Sequence, residues 1–155
     1  MSSREANAAR LVAPELRAAE LEAIAVEAAS EGARVIREAA GDLGTVRTKS
    51  TPTDPVTSLD LDSERAIRDV LALRTPDASV LGEEDGDVGG PSSIGWIIDP
   101  IDGTVNLTYA LPIISVSVAA TLNGEVVAGC VVDPHRGEVF SACLDGGARR
   151  DGEPI

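Results

Sequence analysis

Residues 96–106 read WIIDPIDGTVN, an apolar, strand-like stretch that runs straight into two aspartates, a proline and a glycine. Asp99 and Asp102 stand three positions apart with no Lys or Arg between them. Two carboxylates held together at a strand end repel each other unless a cation joins them. Pro100 sets the backbone of the turn, and Gly103 lets a ligand approach the main chain closely. Thr104 adds a hydroxyl and, where a helix begins, free backbone N–H groups for an anion. A metal on one side and a phosphate on the other is what this order of residues points to. Asp-Pro and Asp-Gly are also ordinary turn dipeptides, and Asp99-Pro100 taken alone reads as a turn. The whole string asks for more, because a turn needs neither the second acid nor the threonine.

Around this run the organisation is legible. Residues 1–13 read as a loose tail. Over 14–40 apolar residues recur at Leu21, Ile24, Ala25, Ala28, Val35, Ile36 and Ala39, which is helical spacing, with Pro14 in the first turn and Gly41 and Gly44 after the end. Residues 47–56 are extended and hold two prolines, and Thr57 to Asp60 open a second helix with Ile67, Val70 and Leu71 on one face. Strands are expected over 78–82, 94–98, 113–123, 126–133 and 139–142. A glycine-rich loop spans 86–93, Asn123-Gly124 makes a hairpin turn, and a glycine-rich hairpin closes the chain. The expected architecture is α+β: one domain over 14–155, with two helices on a mostly antiparallel sheet of five to seven strands.

Composition narrows the partners. A chain of 155 residues with 43% hydrophobic and 25% charged residues has the makings of one globular core. Its formal charge of −13 argues against nucleic acid as a direct partner. The most apolar stretch, 110–122, is short for a membrane span and is broken by Pro112, Ser115 and Ser117. Residues 1–13 are polar and do not resemble a signal peptide. Cys130 and Cys143 fall on neighbouring expected strands and read as buried free thiols, so a reducing cytoplasm is the expected location. Twelve arginines accompany a single lysine, Lys49. Either it is a compact charge beside phosphate or water, or it is simply one surface lysine that survived.

Three more acids fall at element edges. Glu83 ends one expected strand as Asp99 ends another, so both reach a common cation if those strands are neighbours; alone, the run Glu83-Glu84-Asp85 reads as a charged loop. Asp60 stands in a first helical turn, where the macrodipole favours a carboxylate without any function. Asp54 precedes a proline and reads as a turn cap. The single His135 sits in an expected hairpin turn and reads as surface. No Cys/His cluster offers a zinc site, so hard oxygen ligands and magnesium are the natural pairing.

These blocks resemble the inositol monophosphatase family of magnesium-dependent, lithium-sensitive phosphatases. Residues 49–60 (KSTPTDPVTSLD) are similar to its first block, 82–84 (GEE) to its second, and 96–106 to its signature; 133–140 (DPHRGEVF) and the closing glycine-rich residues also follow the family's wording. The resemblance implies that Glu83, Asp99 and the main-chain carbonyl of Ile101 hold one Mg²⁺, and that Asp99 bridges to a second bound also by Asp102. It implies that Glu83, with Thr104 and Asp60 behind it, positions the attacking water, that main-chain groups of Gly103 and Thr104 receive the phosphate, and that Lys49 stands behind the ligands. The implied substrate is a small phosphomonoester, inositol monophosphate by default, and family members are commonly dimers. The resemblance covers only the family's N-terminal half. The Trp-Asp-x-x-Ala motif that completes the second metal site is not in this sequence, whose one tryptophan is Trp96. Impaired hydrolysis is therefore expected, and a non-catalytic metal-binding or protein-interaction module is the alternative.

Overall fold

The computed structural model describes residues 17–48 and 55–155. The expected tail, the helical start at Pro14, Asp54 and Lys49 lie outside the described residues.

Apolar spacing produces helix α1 (Ala18–Glu38), which buries Leu21, Ile24, Ala25, Ala28, Ala29, Gly32, Ala33 and Ile36 along one face. It ends where Ala40 and Gly41 turn left-handed, with φ of 49° and 90°. Strands β1 (Val46–Thr48) and β2 (Pro55–Thr57) pair antiparallel as a separate ribbon. Helix α2 (Ser58–Arg74) then starts in a capping box. The Asp60 N–H donates to Thr57 Oγ1 at 3.3 Å, and the Thr57 N–H donates to Asp60 Oδ2 at 2.8 Å.

The remaining elements are β3 (Ser79–Gly82), β4 (Asp87–Val88), β5 (Ile94–Asp102), the single-turn helix α3 (Thr104–Thr108), β6 (Ser115–Leu122), β7 (Glu125–Asp133), β8 (Glu138–Cys143), β9 (Gly147–Arg150) and β10 (Glu153–Pro154). The fold is α+β, as expected, but the main sheet has eight strands, in the order β10-β9-β8-β7-β6-β5-β3-β4, where five to seven were expected. The closing hairpin supplies β9 and β10 as expected, and the surplus is β4, inside the glycine-rich loop. These are short, mostly exposed strands with little apolar alternation, paired through their backbones. Every pairing is antiparallel except β3 with β5. Asn123 and Gly124, at φ 53° and 86°, make the expected hairpin turn between β6 and β7.

Both long helices cover one sheet face. Trp96, Ile98, Val116, Val118, Ala120, Ala128, Cys130 and Val132 point into this core. Each fully buried leucine or isoleucine, such as Leu71 or Ile67, contributes roughly 2 kcal/mol. A Cβ on Gly32 would lie 2.9 Å from Ile67 and Ser63 side-chain atoms, so glycine brings α2 hard against α1. Trp96 Nε1 donates to Thr75 Oγ1 at 2.9 Å, leaving the buried indole satisfied. Cys130 and Cys143 are buried free thiols, and burial pushes the Cys130 thiol up to about 12. Leu81, Ile97, Val131 and Phe140, on the opposite face, are exposed. Among the described residues no helix is long and apolar enough to cross a membrane.

Candidate metal and phosphate site

Parallel pairing brings the acids together. Gly82 lies opposite Ile98 in the β3–β5 register, so Glu83, just past β3, comes beside Asp99, which does not end its strand as expected but stays in β5 and pairs with Ser117 on β6. Their carboxyls hydrogen-bond to each other. Asp99 is half-buried, and its carboxyl is pushed up from the usual 3.8 to about 7. Burial is the largest cause, the charge and hydrogen bond of Glu83 come next, and the charge of Asp102 adds to them. The Ile101 N–H, donating to Asp99 Oδ1 at 3.1 Å, works in the other direction.

Proline shapes the next step. Between the pairs Asp99–Ser117 and Asp102–Ser115, two β5 residues face one β6 residue, a bulge at Pro100 and Ile101. Pro100 has no N–H for the ladder, and its carbonyl instead accepts from Ser63 Oγ on α2 at 3.1 Å. Beyond the bulge Gly103 adopts φ 94°, and a Cβ there would stand 3.0 Å from the Ile113 carbonyl. Glycine is favoured on both counts, and α3 begins at the next residue.

Thr104 Oγ1 lies 3.0 Å from both Asp60 Oδ1 and the Ile101 carbonyl, and its single proton serves one at a time. Asp60 is 1% exposed and also accepts from Thr57 Oγ1 at 2.5 Å. Thus Glu83 meets Asp99 directly, Asp102 acts on Asp99 through its charge, and Thr104 joins Asp60 to the Ile101 carbonyl. His135 is exposed in the β7–β8 turn, as read from the sequence.

The donor set suits a hard cation: crowded carboxylates and a carbonyl, without thiol or imidazole. Among the described residues no group of three or more His, Cys, Asp or Glu side chains is arranged to hold a metal ion.

Sequence reasoning missed Glu64, Arg68 and Ser63. Glu64 is fully buried and accepts the Glu84 N–H at 2.8 Å and the Asp85 N–H at 3.1 Å. Arg68 Nε donates to the same carboxylate at 2.8 Å, and its Nη2 donates to the Gly86 carbonyl at 2.7 Å. Glu and Arg four residues apart on a helix look like an ordinary surface pair, so no local signal distinguishes them.

Fold and site together define an α+β domain in which two acids, Glu83 and Asp99, stand side by side where the parallel pairing of β3 and β5 ends. The family model for the inositol monophosphatase family matches residues 17–155, and the chain belongs to that family. It is 49% identical over 113 residues to an inositol-1-monophosphatase of Mycobacterium leprae, covering 68% of this chain and 38% of that protein. It is 41% identical over 130 residues to a Nus factor SuhB of Pasteurella multocida, covering 81% of this chain and 48% of the relative. Among solved structures, the extragenic suppressor protein suhB of Bartonella henselae superposes with a TM-score of 0.81 at 29% identity, over 87% of this chain and 53% of that one. The chain spans about half the length of the curated relatives it matches.

Proposed function

We propose that this chain carries the metal- and phosphate-handling half of a magnesium-dependent phosphomonoesterase, with inositol monophosphate as the default substrate. The observation that carries this reading is the close Glu83–Asp99 pair, just past the last parallel pairing of β3 with β5. Glu83, Asp99 and the Ile101 carbonyl would hold one Mg²⁺, and Asp99 with Asp102 would hold a second, more weakly. Bound magnesium supplies a Lewis acid that makes water a better nucleophile and steadies the departing alkoxide. A hydroxyl of Thr104 that donates to buried Asp60 keeps its lone pairs outward, where with Glu83 it can accept from and orient the attacking water. Main-chain N–H groups at Gly103 and Thr104 would meet the phosphate at the start of α3. Lys49 would add positive charge behind the ligands, and lithium would compete with magnesium.

Turnover by this chain alone is expected to be slow, since the second cation position has few carboxylates. The test is Mg²⁺-dependent phosphate release from inositol 1-phosphate, with Glu83→Ala prepared identically. Slow, Mg²⁺-dependent release that disappears in the variant supports the reading. A folded chain that binds no Mg²⁺, or release indifferent to Glu83, would falsify it. The second reading, a protein-interaction module, is favoured by the relative named Nus factor SuhB and by the exposed apolar sheet face. It predicts Mg²⁺ binding without any release.

A further inference from the structure

Three buried polar residues on one face of α2 each hold a different part of the site. Asp60 ties Thr57 to Thr104, and Ser63 holds the Pro100 carbonyl at the bulge. Glu64 takes the backbone N–H groups of Glu84 and Asp85. The spacing i, i+3, i+4 makes this one continuous stripe, and all three side chains are at most 1% exposed.

We propose that Glu64, steadied by Arg68, is a positioning residue that sets where the Glu83 carboxyl points. Glu83 is pinned on both sides. Before it, the Gly82 N–H donates to the Gly86 carbonyl at 3.0 Å, and that carbonyl also accepts from Arg68. After it, the Glu84 N–H is held by Glu64. A Cβ on Gly82 would fall 2.2 Å from Glu64 Oε1 and 2.4 Å from Arg68 Nη2, so the charged pair lies directly against the end of β3. A metal-binding carboxyl needs its support within about 0.5 Å of the productive geometry, and outer partners of ligands commonly carry ten- to hundredfold of the affinity. A buried ion pair is a poor source of net stability compared with packed apolar side chains, so its worth here lies in the loop shape it imposes.

The inference rests on the reading that Glu83 is a metal ligand, and Mn²⁺ binding followed by electron paramagnetic resonance separates the two. The purified chain is compared with Glu64→Gln, Glu83→Ala and the double variant. Glu64→Gln is expected to weaken Mn²⁺ binding about tenfold and to speed hydrogen exchange at the Glu84 and Asp85 amides, while the Val118 and Cys130 amides stay protected. In the Glu83→Ala background it should add no further loss, because it acts through Glu83. If the unaltered chain binds no Mn²⁺, the metal reading fails. If that chain binds Mn²⁺ and a folded Glu64→Gln binds it equally well, or the loss is the same in both backgrounds, the positioning role is overturned. Should Glu64→Gln not fold, Arg68→Lys keeps the charge but loses the bridge to Gly86; several-fold weaker binding is expected, and unchanged affinity overturns the proposal.

Discussion

Glu64 on α2 and Asp99 in β5 hold their carboxyls in opposite ways. Glu64 is fully buried, yet it accepts two backbone N–H groups and the Arg68 guanidinium. Asp99 is only half-buried, yet it faces Glu83 and Asp102 with a single backbone donor, from Ile101. Depth of burial therefore does not mark the site. What sets Asp99 apart is the charge of Glu83 and Asp102 added to its own burial, where Glu64 is given donors instead.

The contrast breaks first at Glu64. Glu64→Ala leaves Arg68 and two amides without their acceptor, and urea denaturation should show a loss of about 3–5 kcal/mol. A loss below about 1 kcal/mol would show that water replaces the carboxylate easily. Gly82→Ala probes the same contact from the strand side. Its Cβ would collide with Glu64 Oε1 and Arg68, and a loss of roughly 2 kcal/mol is expected by the same measurement.

At Asp99 the sign reverses. Its folded carboxyl sits at about 7, above the usual 3.8. Its contribution to the metal-free chain is therefore fully present below about 3.8 and fades as pH rises towards about 7. Asp99→Asn should stabilise the metal-free chain by about 1 kcal/mol at pH 8, a figure reduced for the solvent that reaches the site, and should flatten that pH window. Cation binding by the unaltered chain should strengthen with pH up to about 7 and then level off, since a proton must leave first. A pH-independent calorimetric titration would contradict this.

How much was visible beforehand depended on the range of the interaction. The Thr57–Asp60 cap, the Asn123–Gly124 turn and the spacing of α1 are local, and each appears where the residues announced it. The juxtaposition of Glu83 with Asp99 was legible only as a condition, that their strands be neighbours. Strand β4 carried little apolar alternation and was hidden in a glycine-rich loop. Glu64, Arg68 and Ser63 were invisible, because residues on a helix show their spacing and not what lies across from them.

By itself, then, the sequence determined the long helices, the strands other than β4, the acidic run at the end of β5 and the family blocks, since these depend on propensity, pattern and short-range chemistry. Tertiary structure alone decided that β3 and β5 run parallel with Gly82 opposite Ile98, and that α2 lays Asp60, Ser63 and Glu64 along the site. Register and helix placement are settled by burying the whole apolar face at once, and no short stretch of residues encodes that balance.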